Sequence, residues 1–385
     1  MPKHPILKCG LFVFYLLFLL LISEFILKTF FPIDFPVIDT TTMPFIYQIS
    51  DNPKMGYALR PGMGDMNSAG FRDFEYPKNK NPDVARIAVI GDSIAFGIGA
   101  SQRETAYAKR LEMLLNKESK KRFEVLNFGV PGYGTVQIFE RFKDKVMGYE
   151  PDIVIYGYWF NDFQRYGGDR RERFLVDISR DSLRAKIWEF YSSSISKHAL
   201  FKKMATRILE SQLFQRSCLL SYRLRKHFSA QDHTDRFFSN KASDDAGTPK
   251  YWYGVFSECV KKCDRGNNMR FLDKELNEQD FYEYWNAFHG LADDCKKHAV
   301  RLILLLTPVL SDFSDYQYLP LHEFMHKLAE SMGIEVLDTL GPFSRENYKE
   351  LRMKNRDLCH FNDRGHFIVA KTIAEYLDRN PGTTL

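Results

Sequence analysis

Two short motifs, far apart in this 385-residue chain, hold the residue types best suited to covalent chemistry. Gly91-Asp92-Ser93 follows directly on the apolar run Ile87-Ala88-Val89-Ile90. Asp357-Leu358-Cys359-His360 lies near the C-terminus. A serine hydroxyl is a poor nucleophile at neutral pH and needs a base within hydrogen-bond reach. An imidazole supplies that base, and a carboxylate beside it holds the productive tautomer and stabilises the imidazolium that forms. Ser93, His360 and Asp357 are the candidates for these three roles. Either motif alone is weak, because serines and Asp-x-x-His spacings are common by chance. Plainer roles also exist: Ser93 is a favoured helix N-cap type, and Asp357 with His360 would make an ordinary surface ion pair.

The elements around the motifs say whether they can meet. From Arg86 onward, short apolar runs alternate with segments of helical spacing. Strands are expected at 87–90, 125–128, 153–159, 302–306 and 334–337, and helices at 104–116, 135–147, 281–298, 321–332 and 365–377. Such alternation implies a parallel sheet with right-handed crossovers. Five strands fit a flavodoxin-like three-layer α/β/α order, in which sites form beyond the carboxyl ends of the strands. Ser93 then follows the first strand. Asp357 and His360 share one loop after the fifth strand and ahead of the last helix, on the same sheet edge.

Ester chemistry at such a serine also needs donors for a developing oxyanion, each typically worth ~3–4 kcal/mol of barrier. The run Asn127-Phe128-Gly129-Val130-Pro131-Gly132-Tyr133-Gly134 follows the second strand, and its glycines let backbone N–H groups approach a ligand. Asn161-Asp162 follows the third strand and offers a side-chain amide. Four strand ends converging on one chemistry form a more specific signal than any single motif. Gly132 as a turn glycine and Asn161 as a loop-closing residue are the plainer alternatives.

Together these blocks resemble the SGNH/GDSL hydrolases, serine esterases on a flavodoxin-like fold. Gly91-Asp92-Ser93-Ile94 is similar to the nucleophile block, which implies Ser93 as nucleophile and as one N–H donor. Aligned on Asn127, the second block implies Gly132 as the oxyanion glycine, with Gly129 as the fallback. Asn161 matches the asparagine of the third block, and Asp357 and His360 match the Asp-x-x-His block. The third block departs from the pattern, with Trp159 at its usual glycine and Gly157 two positions earlier, a change expected to narrow the pocket. The resemblance covers roughly residues 67–377. The stretch Asn67-Ser68-Ala69-Gly70-Phe71-Arg72 resembles a lead-in segment of membrane-tethered bacterial members. It implies hydrolysis of acyl esters, acetyl among them, on cell-surface carbohydrate or lipid, without metal or other cofactor. An O-acyltransferase that passes the acyl group to an exported polysaccharide would use the same triad. A catalytically silent carbohydrate-binding or assembly protein would keep the fold alone.

The composition is ordinarily globular, 44% hydrophobic and 27% charged. The net charge of +5 is spread along the chain, with no basic tract interleaved with aromatics to suggest a nucleic-acid partner. The N-terminus stands apart. Residues 9–27 are apolar except Ser23 and Glu24, and at ~1.5 Å per residue they span about 28 Å, close to a bilayer's hydrocarbon core. Lys3 and Lys8 precede the run, so the positive-inside rule predicts a single-pass signal anchor over residues 1–28, with the rest extracytoplasmic. A cleaved signal peptide and a buried core helix are the rivals; the sequence after the run lacks a small-x-small cleavage pattern. Pro32, Pro36, Pro44, Pro53, Pro61 and Pro77 predict a stalk without long helices over residues 29–84. The hydrolase-like domain is expected over 85–380, interrupted by an insertion at about 166–279. That insertion carries a basic helical stretch near 201–227, read either as a solvated face or as a lid or lipid-facing surface. Of six cysteines, Cys263 with Cys259 or Cys295 is placed for a disulfide in an oxidising compartment, against free buried thiols; a zinc site lacks a second ligand pair.

Overall fold

The computed structural model describes residues 5–30, 46–52, 54–119, 121–163, 248–263, 278–355 and 357–381. The chain divides into two compact units, residues 1–57 with 167–237 and residues 58–166 with 238–385. The first is described mainly through one helix, α1 (Pro5–Phe30), of 26 residues. Phe12, Phe14, Leu21 and Phe25 are among its large apolar side chains left exposed. Taken over the described side chains alone, no helix is long and apolar enough to cross a membrane.

The second unit is built on five parallel strands: β1 (Val84–Gly91), β2 (Arg122–Asn127), β3 (Ile153–Tyr158), β4 (Arg301–Leu306) and β5 (Glu335–Asp338). Their order is β2-β1-β3-β4-β5, the flavodoxin-like arrangement. Ile87, on β1, is paired with Val125 on one side and Ile153 on the other. Every residue of β1 and β3 is buried, which is why these strands read as continuous apolar runs and not as alternating ones.

Helices cover both faces. α3 (Tyr107–Glu118) and α10 (Asp363–Arg379) pack together on one side. α4 (Thr135–Arg141), α5 (Pro249–Cys263), α6 (Glu278–Lys297) and α7 (Leu319–Ser331) form the other layer. α5 belongs to the expected insertion, yet Trp252 and Phe256 join Phe163, Phe281 and Phe324 in one aromatic cluster. The insertion's basic stretch lies outside the described residues. α4 is shorter than the helical spacing of 135–147 predicts. After Arg141 the backbone widens over Phe142–Val146, tightens over Met147–Tyr149, and stops at Glu150 in a left-handed turn before Pro151. Among the described residues, three short α-helices escaped the sequence pattern: α2 (Ser93–Phe96), α8 (Leu340–Ser344) and α9 (Tyr348–Leu351). All are under two turns, too short to show a period.

The expected stalk changes character at Asn67. Phe71 is buried against Phe128 and Tyr149, with ring centroids 4.4 and 5.4 Å away. At the opposite end of β1, the fully buried Arg86 guanidinium is matched by Glu124 at 2.6 Å and by the carbonyls of Lys78 and Tyr149. At the site end, backbones come unusually close. A Cβ on Gly129 would lie 2.2 Å from the Phe96 nitrogen, and one on Gly91 would lie 2.5 Å from the Gly157 carbonyl oxygen. Glycine at both positions lets the β2 loop and β3 press directly against the turn after β1. Among the described residues, Cys259, Cys263, Cys295 and Cys359 are not joined in disulfides.

Candidate active site

α2 begins at Ser93, immediately past the carboxyl end of β1 and beside β3, where the strand order reverses. Its N-cap is Asp92, whose carboxylate accepts the Ile94 N–H at 2.9 Å. Ser93 is therefore not the capping residue, and its hydroxyl is available for other contacts. His360 Nε2 lies 2.9 Å from Ser93 Oγ, and His360 Nδ1 lies 2.9 Å from Asp357 Oδ2. The imidazole thus bridges hydroxyl and carboxylate.

The loop bearing these two residues is held from several directions. Asp357 Oδ1 accepts the N–H groups of Cys359 and His360 at 2.9 and 2.8 Å. Leu310 N–H donates to the Leu358 carbonyl, and Met353 N–H to that of His360. Beyond it, Asn362 caps α10, while Asp363 accepts both the N–H and the hydroxyl of Ser101. That last pair ties the start of α10 to the loop after α2.

Electrostatics set the proton positions. Burial alone would raise the Asp357 carboxyl, but the His360 ring and two backbone N–H groups outweigh it and hold the group below its usual value. An ionised carboxylate accepts only, so His360 carries its proton on Nδ1 and presents Nε2 as an acceptor to the serine hydroxyl. Ser93 Oγ has a second acceptor in Asp92 Oδ2 at 3.2 Å. Burial raises the Asp92 carboxyl, opposed by the Ile94 N–H, the charge of His360 and hydrogen bonds from Ser93 and Asn161. Burial, reinforced by the nearby charge of Asp92, also raises Asp162, which takes a 3.0 Å hydrogen bond from the Tyr156 hydroxyl. Cys359 is a second nucleophile type touching Ser93. Burial first, then the charges of Asp92, Asp357 and Asp162, pushes its thiol far above the ordinary range and keeps it protonated.

Of the expected oxyanion donors, Gly129 is occupied: its N–H donates to Asn127 Oδ1 at 3.0 Å. Gly132 lies in a tight turn with φ +79° and is partly exposed. Asn161 opens onto the same cluster from the turn after β3, where its side chain hydrogen-bonds Asp92. Its Oδ1 is buried without a partner. Sequence reasoning missed the parts played by Asp92 and Cys359, although both lie inside the two opening motifs.

The sequence model for GDSL-like Lipase/Acylhydrolase matches residues 87–373, well over half of the chain. The chain belongs to the GDSL-like lipase/acylhydrolase family. As a GDSL-like enzyme it hydrolyses ester bonds. Among solved structures it is similar to a two-domain esterase active on acetylated mannans, at 14% identity and TM-score 0.39. That likeness covers 77% of this chain and 49% of the esterase, so the chain spans about half the esterase's length. It is also similar to a catalytic mutant of an acetylxylan esterase from Geobacillus stearothermophilus, at 14% identity, TM-score 0.39 and coverage of 78% and 96%. A third similar structure is a lipase/acylhydrolase from Enterococcus faecalis, at 10% identity, TM-score 0.39 and coverage of 77% and 96%. No curated protein matches the chain.

His366, in the first turns of α10, supports the GDSL-like site from behind. It is fully buried between Tyr107 and Phe361, and a ring nitrogen meets the Ile98 carbonyl at 3.2 Å. Burial pulls its pKa down from 6.5 to about 3. Between those two values the unfolded chain binds the extra proton, so stability is full above pH 6.5 and falls as pH drops toward 3. His366→Gln is expected to remove that contribution, up to about 1.4 kcal/mol per pH unit across the window. Urea unfolding at several pH values checks it; an unchanged acid limb in the variant would contradict the assignment.

Proposed function

We propose that this GDSL-like enzyme cleaves acyl esters through a Ser93-His360-Asp357 triad, and the observation that carries the reading is the imidazole bridge between hydroxyl and carboxylate. Ser93 Oγ attacks the acyl carbonyl carbon as His360 Nε2 takes its proton. Asp357 stabilises the resulting imidazolium. The oxyanion accepts from the backbone N–H groups of Ser93 and Gly132 and from the Asn161 amide. The engagement of the Gly129 N–H supports Gly132 over Gly129, and an amide with two N–H groups can hold Asp92 with one and the oxyanion with the other. Collapse expels the alcohol, which takes the proton from His360. Water, activated by the same imidazole, then releases the acid and frees Ser93.

The substrates proposed are acyl esters, acetyl included, of carbohydrate or lipid at the cell surface. The location rests on α1. At ~1.5 Å per residue, 26 residues give a rod of about 39 Å, longer than a ~30 Å hydrocarbon core. With exposed apolar side chains along it and lysines ahead of its apolar run, it would hold the enzyme as a single-pass protein with the catalytic domain outside the cytoplasm.

In steady-state assays with p-nitrophenyl acetate, Ser93→Ala and Asp357→Asn are each expected to lower kcat by about 10⁴-fold. Variants that stay within tenfold of wild type would refute the triad. For the anchor, deletion of residues 1–28 is expected to move the protein from the membrane pellet to the soluble fraction; a truncated protein that still sediments contradicts it.

A further inference from the structure

The turn that carries Ser93 ends in three consecutive carbonyls, which side chains from three parts of the chain hold between them. α2 is only four residues long, so no following helical turn bonds the carbonyls at its end, and that of Gly97 takes one local N–H, from Ala100 at 3.2 Å. Arg72 donates from Nη1 to the Gly97 carbonyl at 2.8 Å and to the Phe96 carbonyl at 3.3 Å. The Asn127 amide reaches the Phe96 carbonyl at 3.3 Å, and His366 meets that of Ile98 at 3.2 Å. Arg72 is the charged member of this set. It is buried, its guanidinium lies 5.1 Å from the centre of the Phe96 ring, and Asp65 balances it from the surface at 3.4 Å.

These contacts lead directly to the nucleophile. The Ser93 carbonyl accepts the N–H groups of Gly97 at 3.1 Å and Ile98 at 2.9 Å. Movement of residues 97–98 therefore drags the Ser93 backbone, and with it both the hydroxyl and the N–H. The neighbouring residue extends the grip: Asp73 accepts the Asn127 N–H at 2.7 Å and the buried Lys109 ammonium at 2.7 Å. Arg72 and Asp73 thus clamp the nucleophile turn and the first residue of the glycine loop in one backbone step. Both lie outside residues 87–373, the region the family shares.

We propose that Arg72 is a positioning residue for the reaction, and that the lead-in segment 67–73 is a working part of the active site of this chain. The proposal rests on Ser93 being the nucleophile. Its charge-assisted bonds fix the end of a turn too short to hold itself. A misplacement on the order of 1 Å at such a site costs on the order of 10²-fold in rate.

The test uses the full-length enzyme with p-nitrophenyl acetate, each rate corrected for the folded fraction by near-UV circular dichroism. Arg72→Met is expected to lower kcat about 10- to 100-fold with KM within about twofold. Arg72→Lys, which keeps the charge but not the planar fork, is expected to fall between Arg72→Met and wild type. Millimolar methylguanidinium is expected to restore part of the Arg72→Met rate and none of the Ser93→Ala rate. Arg72→Met with kcat within twofold of wild type overturns the proposal. A fall in both variants that vanishes after correction for folded fraction also overturns it, because the role is then structural only. If Arg72→Met does not fold, the Arg72→Lys kcat decides in the same way. A fully active Ser93→Ala would instead refute the nucleophile assignment, so the two failures are distinguishable.

Discussion

A serine hydroxyl gains nucleophilic character only if an imidazole nitrogen with a free lone pair is held against it. Here that contact joins residues 267 positions apart, at 2.9 Å. Nothing local brings them together. The parallel sheet does so, because right-handed crossovers return every strand in the same direction and deliver all their following loops to one edge. The turn after β1 supplies Ser93, the turn after β3 supplies Asn161, and the loop ahead of α10 supplies Asp357 and His360. The site forms where β1 and β3 lie side by side and the chain switches direction across the sheet.

Buried polar groups crowd beneath that edge, and each has a physical task. Asp92 caps α2 and offers the Ser93 hydroxyl a second acceptor. Asp162 is tied to Tyr156, which in turn meets the Thr135 hydroxyl at 2.8 Å. Such groups are costly to bury unpaired and restrictive once paired, so they favour one arrangement of the loops. The same logic governs Cys359. Its thiol lies next to the serine, yet burial among carboxylates disfavours the thiolate that would compete with the hydroxyl.

How far the sequence revealed all this follows from the range of each interaction. The strands were legible because β1 and β3 are buried throughout and half of their residues are Val or Ile. Ser93, Asp357 and His360 were legible because their types and order are unusual together. Asn161 and the glycine run 127–134 were legible as donors at strand ends, but the choice of Gly132 within that run came only through the resemblance, since glycine in loops has many other uses. The grip of Arg72 on the turn that carries Ser93 left no local trace: its bonds span 24 and 25 residues and go to backbone carbonyls, which any sequence possesses. The wide turn after Arg141 and the short helices α2, α8 and α9 were equally silent, being shorter than the period that identifies a helix. α5 was hidden because its aromatic face is completed by residues from α6, α7 and the turn after β3.

Labelling of the intact enzyme with a fluorophosphonate, followed by peptide mass mapping, tests the central claim most directly. The account predicts one phosphonylated residue, Ser93, at a rate that falls when His360 is replaced by alanine. A folded wild-type protein that stays unlabelled across neutral pH, or carries the label on another residue, would contradict it.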